Sequence, residues 1–185
     1  MKIEIISGSP RPNSVTHRVA LHLKERLSEP TGHETGIIHL KDWPLPAVQA
    51  VISSPAKAPD AIRPLAERMF AADAFILVSP EYNGSYSPAM KNLIDHFPKQ
   101  HHKPFGIVTA SPGALGGIRA AQQMQLLVSA LFGIGSPYML VVGGVDKKFD
   151  AEGNLVDESF QANVHNFIHE FLWLAESLAQ HRLVA

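Results

Sequence analysis

The stretch Ser79-Pro80-Glu81-Tyr82-Asn83-Gly84-Ser85 sets a carboxylate, a phenol and an amide side by side. Such groups line a pocket and fix the edge of a planar ligand. Gly8-Ser9-Pro10-Arg11-Pro12-Asn13-Ser14-Val15-Thr16 offers a different chemistry. Hydroxyls of Ser9, Ser14 and Thr16 can donate to an anion, Arg11 can hold two of its oxygens at once, and the prolines stiffen the loop. The same residues also suit a plain helix start, with Asn13 or Ser14 as the cap and Arg11 in water. A third stretch is Ala110-Ser111-Pro112-Gly113-Ala114-Leu115-Gly116-Gly117. Its glycines let backbone approach a ligand and leave N–H groups uncovered, a composition that flexible turns share.

Each stretch follows a short apolar run and precedes a helical pattern. Residues 2–7 and 73–78 read as strands, and the second is apolar throughout, as in a sheet buried on both faces. Residues 33–40, 103–109 and 137–142 are further strands. Helical spacing groups Val19, Leu23 and Leu27 after the first loop, Ile62, Leu65, Ala66 and Met69 over 60–72, and Met90, Leu93, Ile94 and Phe97 after Pro88. Residues 118–132 are expected to form a helix apolar around much of its girth. Residues 159–180 form a last helix with Phe160, Val164, Phe167, Ile168 and Phe171 in one stripe. Residues 41–59 carry Pro44, Pro46, Pro55 and Pro59 and read as a surface loop without regular structure. As a long loop beside a crevice it could serve as a lid, in which Trp43 either covers a planar ligand or packs under its own loop. Residues 143–154 read as a solvated connecting turn, since the ligand spacing of a calcium loop is not met.

A length of 185 residues with 45% apolar side chains suits one domain around one sizeable core. A net charge of −1 gives no clustered positive surface for nucleic acid or an anionic membrane. The chain has no cysteine, so disulfides, thiolate nucleophiles and thiolate-held metals are excluded. No apolar run approaches the roughly 18 residues of a span, so neither a membrane helix nor a signal peptide is expected, and the location expected is cytoplasmic. His165 and His169 stand one turn apart, but H-E-x-x-H is absent and no metal is expected. An esterase would lack its G-x-S-x-G nucleophile turn.

Strands alternating with helices build a doubly wound parallel α/β sheet. With strand order 2-1-3-4-5 the switch point lies between the first and third strands. Loop 8–16 and turn 79–85 then flank one crevice, with loop 110–117 beside it. G-x-G-x-x-G is absent, since only Gly8 is present, which disfavours a long dinucleotide crevice. A phosphate cradle, an aromatic and amide turn and a glycine loop together describe a site for a phosphorylated planar ring, and FMN fits that description.

On these residues the chain resembles the NADPH-dependent FMN reductase family of flavodoxin-like proteins, which includes quinone, azo-dye and chromate reductases. The first loop is similar to the family's G-S-x-R-x-x-S-x-N, with Thr16 in place of the asparagine. Pro80-Glu81-Tyr82-Asn83-Gly84-Ser85, then Met90-Lys91-Asn92 and Asp95, resemble P-E-Y-N-x-S followed by L-K-N and an acid. Ser111 to Arg119 is similar to S-x-G-x-x-G-G-x-R, and Phe149-Asp150 with Gly153 to the family's tail, whereas 41–59 lacks the usual acidic stretch.

The resemblance implies one flavodoxin-like, five-stranded domain over 1–185, with FMN as cofactor and NADPH or NADH as co-substrate. It implies that Ser9, Arg11, Ser14 and Thr16, with Val15 among them, hold the phosphate. Pro80, Glu81, Tyr82 and Asn83 would line the isoalloxazine, and Ser111, Pro112, Gly113, Gly116 and Gly117 would meet its pyrimidine edge. Hydride chemistry then belongs to the flavin, from NAD(P)H to a small acceptor such as a quinone, a flavin, an azo compound or a metal oxyanion. Donor and acceptor would use one place in turn, a ping-pong mechanism. Backbone N–H groups of loop 111–117 would steady negative charge on the reduced ring, and Glu81 would position rather than act as a base. Two alternatives stand beside this: an FMN-bound electron carrier, disfavoured by the near-neutral charge, and a non-catalytic flavin-binding sensor or interaction protein. Helices 88–97 and 118–132 carry more apolar surface than one sheet face needs, so a homodimer or homotetramer is expected.

Overall fold

The computed structural model describes residues 1–182. Its elements run β1 (Lys2–Ser7), α1 (Val15–Thr31), β2 (Glu34–His39), α2 (Arg63–Ala71), β3 (Ala74–Ser79), α3 (Pro88–Asp95), β4 (Pro104–Ser111), α4 (Ile118–Ala130), β5 (Ile134–Gly135), β6 (Leu140–Gly143), α5 (Val145–Lys148) and α6 (Gln161–Arg182). All pairings are parallel, in the order β2-β1-β3-β4, with β5 and β6 both against β4. The order 2-1-3-4-5 therefore holds, and the fifth place is shared by two strands.

Alternation along β1 sends Ile3 and Ile5 to the face under α1 and α6, and Ile6 to the face under α2, α3 and α4. Glu4 interrupts this apolar strand and is paired through two oxygens with Arg68 of α2, at 2.9 and 2.5 Å. Gly36 stands beside it on β2, where a Cβ would lie 2.7 Å from both charged groups. Glycine there makes room for the ion pair.

Several expectations change. The strand expected at 137–142 is an edge in two pieces: Ile134 and Gly135 pair with Pro104 and Phe105, and Leu140–Gly143 with Val108–Ser111. Pro137 lies between them and has no N–H to give the ladder. The helix over 60–72 divides into a 3-10 turn at Asp60–Ile62 and α2, and 41–59 contains a short 3-10 turn at Pro55–Lys57. Within 143–154, Val145–Lys148 close a short helix because Val145 is buried, while the Asp150 carboxylate accepts from the amides of Glu152 and Asn154. Helix α4 is not apolar all round: Ala120, Ala121, Met124, Leu127 and Val128 are buried, and Gln122, Gln123, Gln125 and Ser129 face water. The apolar residues Met90, Leu93, Ile94 and Phe97 are likewise consumed by the sheet. What remains outside is Leu126, 66% exposed, and Phe132, 57% exposed.

The 41–59 segment is tied down. Asn92 Nδ2 donates to the carbonyls of Leu45 and Pro46 at 3.1 and 2.9 Å, the Ile52 amide donates to His96 at 2.8 Å, and Trp43 packs on the core below. Among the described residues no helix is long and apolar enough to cross a membrane.

Candidate functional site

The loops after β1, β3 and β4 meet at the C-terminal edge of the sheet, and hydrogen bonds join each to another. The Gly8 amide donates to Val78 O at 2.8 Å, and a Cβ on Gly8 would lie 2.6 Å from Met90 Cε. Buried serines do the stitching. The Ser87 hydroxyl donates to Gly8 O and accepts from the Met90 amide at 3.1 Å, while the Ser87 amide donates to Ser79 Oγ at 3.0 Å. Ser87 before Pro88 is thus an N-cap, a role that its place directly ahead of a helix-opening proline signals in the sequence. Tyr82 and Ser85 exchange backbone hydrogen bonds of 2.8 and 3.2 Å, with Asn83 at φ 51° and Gly84 at φ 83°. That is the two-residue turn that Asn-Gly favours, and it holds Tyr82 at a fixed angle. Thr16 Oγ1 donates to Ala110 O at 3.3 Å, linking the first loop to the third.

At the first loop, Ser14 takes the N-cap position of α1 but its side chain makes no cap bond. Plain capping is therefore not what this serine does. The first amides of a helix have no partner within it, and no acid stands in the first turn of α1. Arg11 is exposed, forms no ion pair among the described residues, and lies with Cζ 4.5 Å from the Tyr82 ring centroid. Ser9 and Thr16 are each only 2% exposed, and Ser9 Oγ accepts from the Arg11 amide at 3.4 Å. These two hydroxyls shape the loop from beneath, whereas Ser14 is only partly buried. Val15 packs its side chain on the core, which leaves its amide to serve. An anion at this end would meet the helix amides, Ser14 and Arg11.

The third loop divides its glycines between two tasks. Gly116 and Gly117 have φ of 61° and 86°, and a Cβ on Gly116 would lie 2.7 Å from the Gly143 amide nitrogen. Packing against β6 demands Gly116. Gly113 is different: a Cβ there would meet only Ser111 Oγ, at 3.6 Å, so the fold leaves it free. Pro112 and Gly113 are exposed, and Ser111 donates to Gly113 O at 3.1 Å. Glu81 reaches across from the second loop. Its Oε2 accepts from the Arg119 amide at 3.1 Å, and its Oε1 lies 3.4 Å from Arg119 Nη1. The start of α4 is thereby matched by a carboxylate, and Glu81 is occupied in holding two loops together.

These loops satisfy what FMN asks: an open helix start with an unpaired guanidinium for the phosphate, and a half-buried phenol, whose enclosed Oη has no partner, beside an exposed amide for the ring. Behind the first loop His17 and His39 are stacked, and nothing in the local sequence of either announces it. A groove of about 960 Å³ runs between α1 and α6, lined by His22, Arg26, Glu158 and His165 among others. It contains none of the three loops.

The comparisons with known proteins agree with this geometry. The family model described as NADPH-dependent FMN reductase matches residues 1–144. An FMN-dependent NADPH-azoreductase of Staphylococcus aureus (strain USA300) is 30% identical over 181 residues, covering 93% of this chain and 94% of that protein. In fold, the chain is similar to FerB, a flavoenzyme NAD(P)H:(acceptor) oxidoreductase from Paracoccus denitrificans, with a TM-score of 0.80, 24% identity and 95% and 97% of the two chains covered. A flavodoxin mutant from Pseudomonas aeruginosa superposes with a TM-score of 0.58 at 20% identity, covering 92% and 99%. The fold alone is shared by reductase and carrier, and the sequence match separates them. The chain belongs to the NADPH-dependent FMN reductase family, oxidoreductases that use FMN and NAD(P)H.

Proposed function

We propose that residues 1–185 form one domain that passes a hydride from NAD(P)H, by way of bound FMN, to a small acceptor. Azo compounds come first, from the azoreductase relative, with quinones, free flavin and metal oxyanions behind them. The observation that carries this reading is the uncapped start of α1 with Arg11 beside it, next to the Tyr82 turn, on a chain of this family. FMN supplies the hydride chemistry when bound. The chain supplies placement. Arg11, Ser14 and the amides of Val15 and Thr16 hold the phosphate, with Ser9 and Thr16 fixing the loop beneath. Pro80, Tyr82 and Asn83 line the ring, Glu81 sets their position against α4, and Ser111, Pro112 and Gly113 bring backbone to the ring edge, with Gly116 and Gly117 turning the loop.

With the turn and the glycine loop on one side and edge, donor and acceptor use the remaining side in succession, which gives ping-pong kinetics. Leu126 and Phe132 on and beside α4 provide apolar surface for a homodimer, and the absence of cysteine suits a cytoplasmic protein. Stopped-flow absorbance tests the reading. NADPH mixed with the FMN-loaded protein should bleach the flavin without any acceptor, an azo dye should restore it, and Asn83→Leu should slow both phases. A bound flavin that neither NADPH nor NADH bleaches would turn the reading to a carrier or a sensor. Light scattering should give at least twice the 20.2 kDa chain mass, and a single-chain mass at micromolar concentration would remove the dimer.

A further inference from the structure

A group of side chains directly behind the phosphate loop has no part in the function proposed above. His17, in the first turn of α1, and His39, the last residue of β2, stack with ring centroids 3.8 Å apart and planes 6° from parallel. His17 Nδ1 lies 2.9 Å from Oγ of Ser7, the fully buried last residue of β1. The Ser7 carbonyl in turn accepts from the Leu40 amide at 3.0 Å. One stack therefore joins the ends of β1 and β2 to the helix turn whose amides face the anion.

The stack works only without charge. Charges this close, away from bulk water, repel strongly. His39 Nε2 is enclosed with no hydrogen-bond partner, so a protonated ring would leave an N–H buried and unpaired. The charged groups nearby are few. Burial first, then His39, lowers the pKa of His17 to about 4, with Lys41 adding to this and Asp42 opposing it. Burial also lowers His39, against the exposed Asp42 carboxylate 3.8 Å from its Nδ1.

We propose that His17 and His39 are positioning residues of the FMN phosphate site, which as an uncharged stacked pair hold the first turn of α1 in place, so that protonating the pair loosens the grip on FMN. The proposal rests on the reading that the start of α1 holds the phosphate. A cation at His17 would also attract a phosphate, and the two effects oppose. The ring contacts Ser7 and His39 rather than the outward side of the turn, so loss of the stack is the larger effect.

The test is FMN affinity, by ultrafiltration, from about pH 7.5 to about pH 4 for the wild type, His39→Phe and His39→Ala. Phe keeps a flat ring and cannot be protonated. At neutral pH the Phe variant should bind like the wild type and the Ala variant more weakly. By about pH 4 the wild type should lose about twofold more affinity than the Phe variant, the part of a roughly tenfold full effect (one unit of pKa difference between free and bound states) that shows when pH reaches the free-state pKa of about 4. The titration of FMN itself is common to all three and cancels. Hydrogen exchange of the wild-type protein without FMN gives a reading independent of both variants and ligand. Amides of residues 19–21, which bond the carbonyls of the first turn of α1, should lose more protection between neutral pH and acid than those of 122–124, one turn into α4. Parallel pH profiles in wild type and Phe variant, tighter binding in acid, or an equal loss of protection in the two helices would each overturn the proposal. A wild type that binds no FMN at neutral pH would instead reject the flavin reading.

Discussion

Helices α1 and α4 start at the same edge of the sheet, each after a loop with a positive-φ residue, and their first turns are treated in opposite ways. The start of α4 receives the Glu81 carboxylate on the Arg119 amide. The start of α1 receives no carboxylate among the described residues: Ser14 makes no cap bond, the first turn has no acid, and Arg11 forms no ion pair but lies against the Tyr82 ring. A helix start carries about half a positive charge. In α4 that charge is matched from inside the protein, and in α1 it is left for a ligand. This contrast supports the proposal that the FMN phosphate sits at α1. Within loop 111–117, expected to offer N–H groups to a reduced ring, the Gly116 amide already donates to Gly113 O at 3.2 Å, so under the proposed function that contribution would fall to the exposed part of the loop around Gly113.

The sharpest way to break the contrast is to give α1 what α4 has. Ser14→Asp places a carboxylate at the N-cap, and FMN affinity should fall by about a hundredfold or more, roughly 3 kcal/mol, as like charge meets the phosphate. The thermal midpoint should hold or rise, because aspartate caps well. Calorimetric titration showing less than a few-fold change would place the phosphate elsewhere. Removing the cation is milder. Arg11→Ala gives up a charged hydrogen bond of about 1.5–3 kcal/mol and should weaken FMN by about ten- to a hundredfold with the fold intact.

Acid should distinguish the two ends as well. His17 has a folded-state pKa of about 4 against the ordinary 6.5, so as pH falls the unfolded chain takes up its proton first. The stability this contributes is complete above about pH 6.5 and drains away as pH falls toward about 4. With the ring only half-buried, the loss should be on the order of 1–3 kcal/mol. Urea unfolding of the FMN-free protein at intervals across that range should show the decline, and His17→Phe should flatten it. An unchanged slope in the variant would assign the acid sensitivity to other groups. The smallest effect is expected at α4. Glu81→Gln keeps an acceptor for the Arg119 amide but removes the charge, costing about 0.3–1 kcal/mol of stability and less than about tenfold in FMN affinity. A hundredfold loss would make Glu81 a direct ligand contact.

Much of the site was legible before any coordinates. The hydroxyls and arginine of the first loop, and the acid, phenol and amide of the second, stand close in sequence because one short loop must present them together. Within those loops the assignments divided by burial. Ser9, Ser14 and Thr16 read alike as hydroxyl donors, yet Ser9 and Thr16 are buried and Ser14 is only partly so. The glycines of the third loop also read alike, and only contact with β6 separates Gly116 from Gly113. The girth of α4 was misjudged for a related reason: counting apolar residues does not show that its glutamines share one side until the helix is docked.

By itself the sequence determined the alternation of strands and helices and the three loops at the sheet edge, because side-chain periodicity and turn chemistry act over a few residues. The Asn83-Gly84 turn and the Ser87 cap belong to this local class. Tertiary structure alone decided the matters that depend on residues far apart in the chain. Pro137 splits an edge strand only because β4 offers a ladder it cannot complete. His17 stacks on His39 because β2 lies beside β1. Glu81 closes the start of α4 from 38 residues away, and that contact, absent from any local pattern, is what sets the two helix starts apart.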